Sequence, residues 1–104
     1  MHRVAFRMQL HKGCEEEYER RHKQLWPELK ELLSGSGIRE YSIFLDEASG
    51  HLFGVLKVAD KNRLKELPSS PVMQKWWAHM KDIMDTHADH SPVSVPLREV
   101  FYLP

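Results

Sequence analysis

An α+β fold, in which a four-stranded antiparallel sheet carries helices on one face, is predicted by three features of this 104-residue sequence. Apolar residues alternate near the N-terminus and recur in two runs flanking Asp46 to Gly50. A further strand-like run closes the chain, and two segments between these strands carry helical spacing. The order is therefore strand, helix, strand, strand, helix, strand.

Val4, Phe6, Met8 and Leu10 alternate with Ala5, Arg7 and Gln9, the two-residue period of a first strand. Gly13 breaks the pattern, and the acidic run from Glu15 opens a helix reaching about Ser34, with negative charge at the favourable end of its dipole. Pro27 lacks an amide donor and clashes with the carbonyl of Lys23, so a kink or a split into two helices is expected close to His22. Ser34 to Gly37 form a turn. Ile38 to Leu45 and His51 to Val58 then read as a hairpin whose strands are apolar on both parities. Lys61 to Leu67 suit a short helix. Ser70 suits an N-cap and Pro71 a first helical turn, before a helix with Met73, Trp77, Met80 and Met84 on one stripe and Trp76 and Ile83 on its flank. That stripe predicts Trp77 to be more interior than Trp76. A polar segment follows Asp85, and Val95 to Leu103 supply the last strand.

This order is the ferredoxin-like split βαβ pattern, and residues 1–104 read as a single domain. Helices in that arrangement cover one sheet face only. Strands that are apolar on both faces therefore predict a second subunit against the other face, in a symmetric homodimer. Val100 to Leu103 would pair at a sheet edge or cross to that partner.

Composition narrows the function. The chain is 41% apolar and 29% charged, as expected of a globular domain rather than a disordered or membrane protein. Fifteen Lys and Arg balance fifteen Asp and Glu without a basic stripe, so the footprint of a nucleic-acid binder is missing and a small or neutral partner is expected. Cys14 is the only cysteine, which excludes an internal disulfide, and the run from Val4 to Leu10 is too short and punctuated for a signal peptide. A reducing cytoplasm is the expected location.

Tyr18 and His22 lie one helical turn apart on the stripe that also holds Leu25, Leu29 and Leu32. A phenol and an imidazole on an apolar face form either a satisfied core network or a pocket wall. An imidazole with an ordinary pKa of about 6.5 can move a proton at neutral pH without a metal. Trp76 and Trp77 offer flat apolar faces with an indole donor at the edge, the kind of surface on which a sugar's axial C–H groups pack. Tyr41 beside Ile43 adds a hydroxyl to such a site or fills the core with its OH at the rim. His79, Asp85, His87, Asp89 and His90 have metal-ligand chemistry, but their spacing is not diagnostic and a solvated loop is the simpler reading; no metal is assigned. Cys14 stands beside a helix start, yet Glu15 to Glu17 oppose a thiolate there, so it receives no catalytic role.

Several motifs coincide with those of one family. The chain resembles L-rhamnose mutarotases over essentially its full length. The resemblance runs through Glu17 to His22, Leu25-Trp26-Pro27-Glu28-Leu29, Tyr41-Ser42-Ile43, Trp76-Trp77, Ser91-Pro92-Val93-Ser94 and the terminal Glu99 to Pro104. It implies a dimeric α/β ferredoxin-like fold, interconversion of the α and β anomers of L-rhamnose in the cytoplasm, and no cofactor. Carried over by position, His22 is the implied proton donor, and Tyr18, Tyr41, Trp76 and Trp77 are the implied sugar contacts. The implied chemistry is acid–base opening and reclosure of a hemiacetal: one group protonates the ring oxygen while another removes the anomeric hydroxyl proton. A tyrosine, a carboxylate or an ordered water would serve as the complementary base. Two further classes fit the same fold, a cofactor-free oxygenase-like enzyme using His22 as a base and a catalytically silent sugar-binding module.

Overall fold

In the computed structural model, which describes residues 1–104, alternating side chains build an antiparallel sheet of four strands. These are β1 (His2–Gln9), β2 (Ile38–Asp46), β3 (His51–Val58) and β4 (Val95–Leu97), in the spatial order β2-β3-β1-β4. The central β1 and β3 pair along their length, from His2 opposite Val58 to Gln9 opposite His51. This is the expected ferredoxin-like arrangement, with the helices packed on one face.

Pro27 splits the first helical segment rather than kinking it. Helix α1 spans Glu15–Lys23, and α2 starts with Pro27 itself and runs to Gly35. Trp26, forced away from helical geometry by the following proline, is extended (φ −61°, ψ 133°) and turns the chain between them. Helix α1 has Glu15, Glu16 and Glu17 in its first turn and Arg20 to Lys23 in its last, complementing the helix dipole at both ends. Asp60 caps α3 (Lys61–Glu66) by accepting from the amide of Asn62 at 2.9 Å, and a 3-10 turn over Leu67–Ser69 leads to α4 (Pro71–Met80). Ser70 stands at the N-cap of α4, but its side chain makes no cap hydrogen bond.

Leu29, Leu52, Met80, Met84 and Ile83 share one buried cluster, while Ile38, Leu56 and Val58 form a second one further along the sheet. Only 14 residues are buried, because a cavity between helices and sheet and the open outer sheet face both leave apolar groups uncovered. Phe44 and Val55 stand on that outer face, 64% and 41% exposed. No helix is long and apolar enough to cross a membrane.

Two expectations are corrected. Trp76 is the interior tryptophan, 7% exposed, and Trp77 is only partly buried. The reason is that α4 ends at Met80. Met84 lies beyond the helix and is buried through a bridge to Leu10, so the inward stripe is Trp76 and Met80 rather than the longer row from Met73 to Met84. The last strand is also shorter than the Val95 to Leu103 run. Pairing covers Ala5 to Arg7 against Leu97 to Val95, where Pro96 cannot donate to the ladder. The remaining tail is pinned instead by Arg3, which donates two hydrogen bonds to Glu99 at 2.8 and 2.9 Å and lies 3.3 Å from the centre of the Tyr102 ring.

Candidate active site

The helices sit far enough from the sheet to leave an open cavity of about 1320 Å³, and all five residues expected at the site line it: Tyr18, His22, Tyr41, Trp76 and Trp77. Helix α1 supplies the first two, β2 the third and α4 the tryptophans. A compact polar turn, closed by hydrogen bonds from the His87 amide to the Ser91 carbonyl (2.8 Å) and from the Val93 amide to the Asp85 carbonyl (3.1 Å), contributes His87, Ser91, Pro92 and Ser94 to the wall.

The position of Tyr41 depends on a bulge. In β2, Arg39 pairs with Lys57 and Ser42 with Val55, so Glu40 and Tyr41 together oppose Leu56. Glu40 takes the left-handed conformation (φ 51°), and its carboxylate pairs outward with Lys57 at 2.6 Å. Regular alternation from Ile38 would have put residue 40 inward; the extra residue turns Tyr41 into the cavity with Ile43 and Leu45.

His22 is held by two groups of Tyr18. Its ring lies on Tyr18, centroids 4.3 Å apart, and its Nδ1 is 2.9 Å from the Tyr18 carbonyl oxygen. A carbonyl can only accept, so Nδ1 carries the proton and the neutral ring keeps its lone pair on Nε2. Burial holds the His22 pKa below its ordinary value, partly offset by that hydrogen bond, so the resting imidazole is neutral at pH 7. Burial also pushes the Tyr18 phenol well above its usual range, and the neighbouring Tyr41 adds to the shift. Tyr41 itself is pushed up to about 12 by burial. Its residue surface is nevertheless 38% exposed, because a concave wall is reachable by water and still surrounded by protein. Both phenols stay protonated and can donate.

Aromatic packing fixes the other wall. Trp76 meets the His22 ring edge-on at 5.4 Å and Trp26 edge-on at 5.1 Å, while His79 lies 5.4 Å from Trp26. Trp26 is a support that spacing alone did not reveal. It lies between the two helices, where no period applies, and only the turn forced by Pro27 brings it to Trp76. Arg21 ties α1 to the end of α4. It donates to Glu17 at 2.7 Å, to the His79 carbonyl at 2.7 Å and to both oxygens of Asp82 at 2.8 and 3.0 Å. In the polar cluster, His11 pairs with Asp85 at 3.0 Å, His79 stacks on tryptophan, and no three His, Cys, Asp or Glu side chains converge. Cys14 is a partly buried free thiol next to α1.

Both the sequence and the fold match those of known proteins. The family model of L-rhamnose mutarotase matches residues 3–103. L-rhamnose mutarotase of Rhizobium meliloti (strain 1021) is 56% identical over 103 residues, covering 99% of both chains, and that of Jannaschia sp. (strain CCS1) is 53% identical with both chains fully covered. The crystal structure of L-rhamnose mutarotase from Formosa agariphila superposes with a TM-score of 0.94 at 48% identity over the whole of both chains. An antibiotic biosynthesis monooxygenase shares the fold (TM-score 0.61) at 11% identity over 94% of this chain and 97% of its own. On the match over residues 3–103 and these identities, the chain belongs to the L-rhamnose mutarotase family.

Proposed function

We propose that the protein is an isomerase that interconverts the α and β anomers of L-rhamnose, with His22 as its proton-transferring residue and Tyr18, Tyr41, Trp76 and Trp77 as sugar contacts. The observation that carries the reading is the neutral His22 ring, anchored through Nδ1 and with Nε2 free, beside two protonated phenols in one cavity. In ring opening, Nε2 takes the proton of the anomeric hydroxyl. A phenol of Tyr18 or Tyr41 protonates the ring oxygen, and the C1–O5 bond breaks to give the aldehyde. Rotation about C1–C2 presents the other carbonyl face. On closure the hydroxyl at C5 attacks C1 and returns its proton to the phenolate, while the imidazolium donates its proton to the aldehyde oxygen, so His22 is the donor of the closing step. Anomers already exchange unaided in water, and each ~1.4 kcal/mol removed from the barrier is worth about tenfold. Zero net charge and an aromatic wall suit a neutral deoxysugar.

The whole of residues 1–104 serves as one ferredoxin-like mutarotase domain, active as a cytoplasmic homodimer. Exposed Phe44 and Val55 on the outer sheet face support burial of that face against a second copy. The test is L-rhamnose anomer exchange with and without protein, alongside light scattering of the same sample. Faster exchange from a species of twice the chain mass is expected; exchange at the buffer rate would reject the activity, and an active monomer would reject the dimer.

A further inference from the structure

Gly54 lies in the middle of β3, where a residue without a side chain weakens a strand unless another group needs the space. Phe6 occupies that space. It stands directly opposite Gly54 on β1, and a Cβ built on Gly54 would sit 2.6 Å from Phe6 Cε2, 3.0 Å from Cε1 and closer still to Cζ. The phenyl ring therefore lies down across the glycine instead of rising from the sheet. From this seat it borders both buried clusters and lines the cavity, and it meets the Tyr41 ring edge-on at 6.2 Å.

We propose that Phe6, seated on Gly54, is the floor of the sugar site, setting its depth and positioning Tyr41, and that Gly54 is a specificity-determining residue because it has no side chain. The atoms that a Cβ would strike are all at the far end of the Phe6 ring. Relief is then a rotation of that ring upward into the cavity, which fills the sugar's place and shifts Tyr41 while the sheet keeps its register. A leucine at position 6 lacks these ring atoms, so it removes the conflict.

The proposal rests on the rhamnose reading, and wild-type protein run alongside separates the two. Gly54→Ala is expected to raise KM for L-rhamnose by about tenfold or more, with kcat within about threefold and the urea midpoint unchanged. Phe6→Leu alone raises KM by about threefold, through the lost edge contact with Tyr41, and Phe6→Leu/Gly54→Ala returns to that value instead of compounding the two losses. A folded Gly54→Ala with wild-type KM overturns the proposal, as does a double variant whose losses compound. If Gly54→Ala alone does not fold, the double variant decides. Folding with the KM of Phe6→Leu supports the floor, and failure to fold or to bind overturns it. No acceleration by wild type would fail the rhamnose reading instead.

Discussion

Replacing Arg21 by Met is the perturbation whose size follows most directly from the structure. Its side chain is 12% exposed and donates to Glu17, to the His79 carbonyl and to both oxygens of Asp82. Methionine keeps the apolar stem in place and removes every one of those bonds. Cutting one partner from a fully buried ion pair costs about 3–5 kcal/mol. Here the abandoned carboxylates of Glu17 and Asp82 are 34% and 61% exposed and recover water, so only the desolvated carbonyl and the lost fork count in full. The expected loss is about 2 kcal/mol, a fall in melting temperature of about 10 °C for a domain of this size. Urea unfolding at pH 7 reads it as a lower midpoint at unchanged slope. Arg21→Lys, which keeps the charge without the planar fork, recovers less than half. Because Arg21 ties the helix of His22 to that of Trp76, KM for the sugar rises as well. A loss below about 0.5 kcal/mol, or full recovery by lysine, would refute the reasoning.

The same network makes stability acid-sensitive. Hydrogen bonds from Arg20 and Arg21 hold Glu17 at about 2 against an ordinary 4.5, and Arg21 likewise lowers Asp82. Both stabilise the fold fully above pH 4.5 and lose that contribution as pH falls toward 2, so the acid unfolding curve of Arg21→Met should be shallower over that window. Burial lowers the His22 pKa, hence the enzyme-dependent exchange rate rises with pH through an inflection below that of a free imidazole; an inflection above it in either the rate or the ¹³C-detected ring titration would contradict its buried, neutral state. In the β2–β3 turn Gly50 has φ +78°, and an added Cβ would lie 2.7 Å from Gln9 Nε2 and 3.0 Å from the Leu10 carbonyl oxygen. Gly50→Ala should cost at least ~1 kcal/mol in urea unfolding, and a neutral result would show that the turn can relax. Deleting Glu40 removes the bulge but leaves Tyr41 opposite Leu56, so sugar binding should survive within about tenfold in calorimetric titration, and its abolition would show that the bulge itself is needed.

Much of this was legible in the sequence for identifiable reasons. The two-residue period of Val4, Phe6 and Met8 and the paired apolar runs around Asp46 to Gly50 report local geometry that tertiary packing does not change. Pro27 likewise acts through its own ring and its effect on Trp26, so the helix break beside His22 could be read directly. The relative burial of Trp76 and Trp77 could not. It depends on where α4 stops, and Lys81 to Ser91, which follow Met80, contain no glycine or proline to mark that end. The short β4 depends on where the tail is held, which Arg3 decides from the other end of the chain through Glu99 and Tyr102. The bulge at Glu40 is hidden for a similar reason, since a non-glycine residue in a left-handed conformation gives no compositional signal. At the site, the Tyr18 and His22 pair was visible as one helical turn, whereas Phe6 and the polar turn around Ser91 meet the cavity, and Trp26 backs Trp76, only through the fold.

Anomer exchange in L-rhamnose, followed by NMR saturation transfer near pH 6.5, where the uncatalysed process is slow, tests the central claim most directly when wild type and His22→Ala are compared as folded proteins of equal concentration. The account predicts acceleration by wild type and its loss by about two orders of magnitude or more in the variant, the scale of a missing general acid–base group. A folded His22→Ala that exchanges the anomers as fast as wild type would contradict the role given to the Nε2 lone pair.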